Sequence, residues 1–452
     1  MEETAKGKLT EGPILSVLAG LAMPIMASSF LSTAYNITDM AWIGSLGAKA
    51  VAGVGVAGMY VWLSQGLCSL ARMGGQVYVA QCIGRDEREE GKHYAVAALQ
   101  LTVVFGLLFA AVCLLFTNPL IDFFGIDDLE TRECARVYMK ITCGLLVFSY
   151  LNITMTGLFT AQGDSKTPFK ANLIGLVINM ILDPVLILGL GPFPRLETVG
   201  AAIATVFAQM VVTLVLCIGI WGIHGKENVL KKANLLQRLP GKYFRAICRI
   251  GIPTALQGTI YCMISMVLTR MVAVFGPGAV ATQRVGGQIE SVSWNTADGF
   301  ATALNAFCGQ NYGAGHMDRV KKGYRISFLT IALWGLLISA FFVFWPEPIA
   351  RIFFHEAEVI PVAVNYLRII GFGEAFMCVE LMAVGAISGL GNTKICSIFT
   401  ICLTGLRIPL ALLLSRTGLG LDGIWWALTL TSMLKGCVMH VLFYRQCRSL
   451  AG

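Results

Sequence analysis

Charge is scarce in this chain. Asp, Glu, Lys and Arg make up 13% of its 452 residues, where a soluble domain carries about 25%. So little charge cannot cover a water-exposed globule. Histidine is scarcer still. His93, His224, His316, His355 and His440 are dispersed, and no nucleophile stands beside a base at a membrane-surface site, so an enzyme is not expected. The 14 cysteines include no Cys-x-x-Cys pair and no metal-ligand spacing. Cys113, Cys143, Cys217 and Cys402 sit in apolar segments and read as small packing residues. The start, MEETAKGKLTEGP, lacks the basic-then-apolar layout of a cleaved leader, so the first apolar segment is expected to be a retained helix. Asn36 and Asn152 match the glycosylation pattern but lie in apolar stretches.

What the chain has instead is long apolar runs. Hydrophobic residues reach 56% and mean hydropathy is +0.71. Runs of about 20 residues span a bilayer, and a spanning segment must satisfy its own backbone hydrogen bonds. The runs are too long and too evenly apolar for barrel strands. The fold class is therefore an all-α integral membrane protein. Its twelve transmembrane helices are expected near 14–38, 51–80, 94–117, 136–162, 169–190, 199–223, 247–273, 279–308, 325–346, 363–389, 396–415 and 422–444.

The formal charge of +8 follows from loop placement and does not call for a nucleic-acid partner. Lys226, Lys231, Lys232, Arg238, Lys242, Arg245 and Arg249 crowd one middle segment; Arg319, Lys321, Lys322 and Arg325 crowd a later loop. With Lys6, Lys8, Arg85, Arg88, Lys92, Lys166, Lys170, Lys394, Arg445 and Arg448 they fall on one side of the membrane. Lys49, Arg132, Arg136, Arg195, Arg351 and Arg416 fall on the other. Positive loops stay cytoplasmic, which places both termini inside.

The chain also repeats itself. At a shift of 229 no gap is needed from Pro24 to Lys92. Pro24 meets Pro253, Ala50-Val51-Ala52 meets Ala279-Val280-Ala281, Gln81 meets Gln310, and Gly84 meets Gly313. Gly163-Asp164-Ser165-Lys166 meets Gly391-Asn392-Thr393-Lys394 at 228. A six-helix unit repeated in parallel flanks a central site. The expected lobes are 1–223 and 247–452, joined by a basic cytoplasmic linker, 224–246.

Acids within the membrane are costly, at least about 2.5–3.5 kcal/mol each at the bilayer centre, and persist when paired, wetted or used. Asp39 lies near the outer end of the first helix. Asn179 and Asp183 are four apart on the fifth, so they share a face. Pro184 follows and removes a backbone donor. Two carboxylates on one cavity suit a proton or Na+. The repeat partners of Asp39, Asn179 and Asp183 are Leu268, Arg407 and Ala411, so the acids are not a requirement of the scaffold. The second half has its own charges: Arg284, Glu290 and Asp298 in the eighth helix, and Glu374 and Glu380 in the tenth. These read equally as structural pairs or as a second ion or substrate site. Arg284 or Arg407 is the candidate partner for one of these acids and Arg72 for an acid of its own lobe, while Arg270 sits near a helix centre or end. Pro24 and Pro253 mark equivalent bend points.

Several stretches carry a resemblance. They are Met23-Pro24-Ile25, Asp39, Ala161-Gln162-Gly163-Asp164-Ser165-Lys166, Asn179 through Pro184, Gly200-Ala201-Ala202-Ile203-Ala204-Thr205, and Gly309-Gln310-Asn311-Tyr312-Gly313-Ala314-Gly315. In order and spacing they resemble the multidrug and toxic compound extrusion family over nearly the whole chain, closer to its DNA-damage-inducible branch. The resemblance implies two six-helix lobes in a V and antiport of lipophilic, often cationic drugs against H+ or Na+. It implies an ion site at Asp39, Asn179, Asp183 and Thr205, no resident cofactor, and a monomer whose other partners are membrane lipids. A second branch places acids in helices 7 and 10. Here none falls between Ile250 and Val274, whereas Glu374 and Glu380 stand in helix 10. The alternatives are a lipid-linked saccharide flippase of the same superfamily and a major-facilitator transporter, whose loop signature Gly84-Arg85-Asp86-Glu87-Arg88 echoes faintly.

Overall fold

The computed structural model describes residues 9–125, 128–190, 194–221, 228–231, 233–353 and 358–450. Lys6, Lys8, His224, Lys226, Lys232 and His355 lie outside the described residues. Sixteen helices, and no strand among the described residues, form the chain. The first eight are α1 Ile14–Gly44, α2 Ala48–Gly84, α3 Arg88–Leu115, α4 Thr117–Asp122, α5 Leu129–Gly144, α6 Leu146–Ala161, α7 Lys166–Leu188 and α8 Glu197–Trp221. The rest are α9 Gly241–Ala273, α10 Pro277–Gly313, α11 Met317–Phe344, α12 Pro346–Phe353, α13 Val359–Gly389, α14 Thr393–Gly405, α15 Arg407–Ser415 and α16 Leu421–Ser449.

Ten helical segments are long and apolar enough to cross a membrane, with α14 and α15 forming one of them as Thr393–Ser415. The bent pair α5 and α6 makes an eleventh. The helix expected at 279–308, α10, is not among them. Its 37 residues run about 55 Å at helical rise, but Arg284, Glu290 and Asp298 make it the polar member of the set.

The helix expected at 136–162 is broken. It begins earlier, at Leu129, because the Asp128 carboxylate caps it, accepting the Thr131 amide at 2.9 Å and its hydroxyl at 2.7 Å. It turns by 46° where Leu145 (φ −110°, ψ 20°) leaves helical geometry after Gly144. By contrast α7 continues unbroken past Pro184 and stops at Gly189, whose φ of 74° favours glycine.

The repeat is sharper in the structure than in the sequence. Helix ends Gly44, Ala48, Gly84, Arg88, Leu115 and Thr117 recur 229 residues later at Ala273, Pro277, Gly313, Met317, Phe344 and Pro346. The chain divides into two compact units at the same shift. The division falls between Met26 and Ala27 inside α1, and between Ala255 and Leu256 inside α9. Unit 1 takes residues 27–255 and unit 2 takes 9–26 and 256–452. Each division lies just past a helix proline, Pro24 or Pro253.

Within a bilayer, helices gain little from hydrophobic burial against one another, so close packing between small residues carries association. In unit 1 a Cβ on Gly251 of α9 would stand 2.1 Å from the Leu70 carbonyl of α2, and one on Gly74 would stand 2.6 Å from Ile247. In unit 2, α13 is the internal helix, with 61% of its most apolar window buried against 17% for α1. Gly385 meets the Ala301 carbonyl of α10 and Gly436 of α16 meets Phe376 of α13 just as closely. Leu18, Leu21 and Ala22 of α1 join the main core of unit 2, beside Phe300, Leu304 and Met382.

Candidate functional site

Unit 1 gathers the predicted acids. Asn179 and Asp183 are 1% and 0% exposed. One helical turn apart on α7, they are joined by Asn179 Nδ2 donating to Asp183 Oδ1 at 3.2 Å. Asp39 of α1 lies close enough for its charge to act on Asp183. Thr205 of α8 bonds Tyr35 of α1 at 3.1 Å between oxygens, and Tyr35 sits one turn before Asp39. Tyr138 of α5 feels both carboxylates. Four helices therefore converge on one polar spot in an apolar bundle.

Its acceptors exceed its donors. Asp39 Oδ1, Asp183 Oδ2 and Asn179 Oδ1 are buried and have no hydrogen-bond partner. Buried acceptors without a donor each cost roughly 1–3 kcal/mol, so the arrangement favours an added proton or a small cation. No cluster of three His, Cys, Asp or Glu occurs among the described residues. A cavity of 230 Å³ adjoins, lined by Tyr35, Asn152, Thr205 and Gln209 among others. Asn152 is spent inside the unit, donating to the Gln209 carbonyl at 3.0 Å and accepting from Thr213 at 2.7 Å. Tyr35 could have been found from its i, i+4 spacing to Asp39. Nothing in the sequence points to Tyr138.

Unit 2 treats its charges differently. Glu380 of α13 is paired at 2.9 Å with Lys435 of α16, both nearly fully buried. Lys435 is the residue sequence reasoning missed, hidden in an apolar run. Arg284 is exposed, and Glu290 is half-buried. Glu374 is 1% exposed, and both its carboxylate oxygens lack a partner. Arg407, at the repeat position of Asn179, is buried and donates to Thr431 at 3.0 Å and Ser432 at 3.1 Å. Glu290, Glu374, Glu380, Arg407 and Lys435 line one cavity of 410 Å³ with Tyr366.

Buried ionisable side chains on inward faces of apolar helices, in two repeated helical units, define a multi-pass membrane carrier. The MatE family profile matches residues 24–185 and 253–413, once in each half. A probable multidrug resistance protein NorM of Thermotoga maritima is 28% identical, covering 94% of this chain and 91% of that one. An FAD transporter of Shewanella oneidensis is 26% identical over 97% and 96%. An outward-facing multidrug resistance MATE family transporter of the MOP superfamily shares the fold at a TM-score of 0.90, with 22% identity and full coverage of both chains. This chain belongs to the MatE family; it is a membrane transporter and not an enzyme.

Proposed function

We propose that the chain is an efflux carrier, exchanging lipophilic, often cationic organic compounds for H+ or Na+ held at Asp39 and Asp183. The observation that carries this reading is the set of buried, unpartnered oxygens on Asp39, Asn179 and Asp183. Asn179 fixes one oxygen of Asp183 and leaves the other for the ion. Tyr35 and Thr205 close the neighbouring side. Each bound ion removes one of the site's two negative charges, and with the ion gone the site attracts a cation more strongly. Drug and ion thus bind best to different charge states, the requirement for exchange. The two repeated units, each built around its own core, supply the rigid bodies for alternating access. The basic loops support an orientation in the cell membrane with both termini in the cytoplasm, in which an inward ion gradient drives drug outward. The name of the Thermotoga maritima relative supports a multidrug substrate range.

The test is ethidium efflux from proteoliposomes under an imposed pH gradient or an imposed Na+ gradient, one at a time. Asp39→Asn and Asp183→Asn insert normally, since losing an intramembrane charge eases insertion, and each abolishes gradient-driven transport. Wild-type rates and ion dependence in both variants would move the coupling site elsewhere.

A further inference from the structure

The cavity of unit 2 holds two charges that its own walls leave unanswered. Glu380 and Lys435 neutralise one another at 2.9 Å. Arg407, 6% exposed, spends Nε on Thr431 and Nη2 on Ser432, both neutral hydroxyls. A guanidinium has five N–H donors, and among the described residues no carboxylate pairs with this one. Glu290 acts on it only through its field. Glu374 is buried more deeply still, and neither oxygen has a donor. The nearby Ser293 hydroxyl is shared with the Cys378 thiol at 3.4 Å. A buried cation without a carboxylate and a buried carboxylate without a donor, lining one 410 Å³ space, are each unfavourable alone. A ligand carrying both complementary charges relieves both.

The rest of the wall sets the body of that ligand. Tyr261, Trp294 and Tyr366 line the same cavity, and the Arg407 guanidinium lies 5.7 Å from the Tyr261 ring centroid. Tyr261 and Trp294 are 45% and 44% exposed, so their side is the accessible one, and Tyr366, Arg407 and Glu374 lie deeper. The volume falls in the range of small-molecule sites, about 300–1,000 Å³.

We propose that this cavity binds amphoteric aromatic compounds, with the anionic group on Arg407 and the ammonium group on Glu374. The site is separate from Asp39 and Asp183, so its ligand preference does not rest on where the ion couples.

Three ligands sharing one indole ring test this: tryptophan, amphoteric; tryptophan methyl ester, cationic only; and N-acetyltryptophan, anionic only. Equilibrium binding of each tritiated compound is measured on the purified full-length protein without any ion gradient. Tryptophan is expected to bind about tenfold or more tightly than either analogue, the worth of one charge-assisted hydrogen bond. Arg407→Gln should bring tryptophan down to the level of its ester. Glu374→Gln should bring it down to that of the N-acetyl compound. The wild-type series stands even where a variant folds poorly. Equal binding of tryptophan and its ester to the wild type would overturn the proposal and leave Arg407 a brace for α16. Tightest binding of N-acetyltryptophan, or no binding of any of the three, overturns it as well.

Discussion

Lys435→Met is expected to be among the most damaging single changes in unit 2. The ammonium lies 2.9 Å from Glu380 Oε1, and the two side chains are 4% and 7% exposed. They join α13 to α16, and α13 is the most buried spanning helix. Methionine fills nearly the same volume and is itself apolar, so packing changes little. What remains is a buried carboxylate with its partner removed. Removing one member of a buried pair costs about 3–5 kcal/mol, whereas replacing both with apolar groups of similar size is near neutral. The double variant Glu380→Met with Lys435→Met should therefore recover most of the loss. Reversible SDS unfolding of the purified protein, followed by tryptophan fluorescence, measures both. The coupling between the sites, from the four-member cycle, should be on the order of 3 kcal/mol. The reasoning fails if Lys435→Met loses less than about 1 kcal/mol, the value of a solvated pair. It also fails if the double variant is as damaged as the single. A recovered double variant that still drives ethidium efflux would assign Glu380 a bracing role.

Gly251→Ala should destabilise unit 1 by about 1–3 kcal/mol through overpacking, because its Cβ would stand 2.1 Å from the Leu70 carbonyl. Gly258→Ala, with nothing within 4 Å, is the control and should leave the same unfolding curve unmoved. Tyr35→Phe deletes the hydroxyl that meets Thr205 at 3.1 Å. It should slow coupled transport about fivefold, the effect of one ordinary hydrogen bond, at unchanged expression; an unchanged rate would reduce that pair to packing. Asp128 lies in the loop before α5, and bonds from the Thr131 hydroxyl and amide, then the Lys49 ammonium, hold its carboxyl down to about 2. A depressed folded value contributes stability above the unfolded value of 3.8 and loses it as pH falls toward 2. Asp128→Ala should therefore melt below wild type at pH 7, with the gap shrinking from pH 4 to pH 2; a constant gap would mean that charge plays no part.

Apolar run length made the spanning helices legible, and gap-free identity made the repeat legible, because both are one-dimensional patterns. Asn179 and Asp183 could be placed on one face for the same reason, since helical spacing is local. What needed three dimensions was less visible. The bend at Leu145 has no proline to announce it. Lys435 looks like an isolated charge in an apolar run until α16 is laid against α13. Glu374 and Glu380 are six residues apart on one helix, yet one is paired and the other has no partner. Their difference comes from the helices facing them. Arg284 shares α10 with Glu290, but it is exposed and lies outside the cavity.

The division points inside α1 and α9 bear on how such a chain could arise. Residues 9–26 belong to the unit built mainly from the second half, and residues up to Ala255 at the start of α9 belong to the unit built from the first. Each half thus lends its opening helical segment to the other, at positions one repeat length apart. Exchange of an identical element between two copies is the arrangement of a swapped dimer. This chain holds both copies of the exchanged segment in one polypeptide, with Asp183 in one half and Arg407 near the matching place in the other.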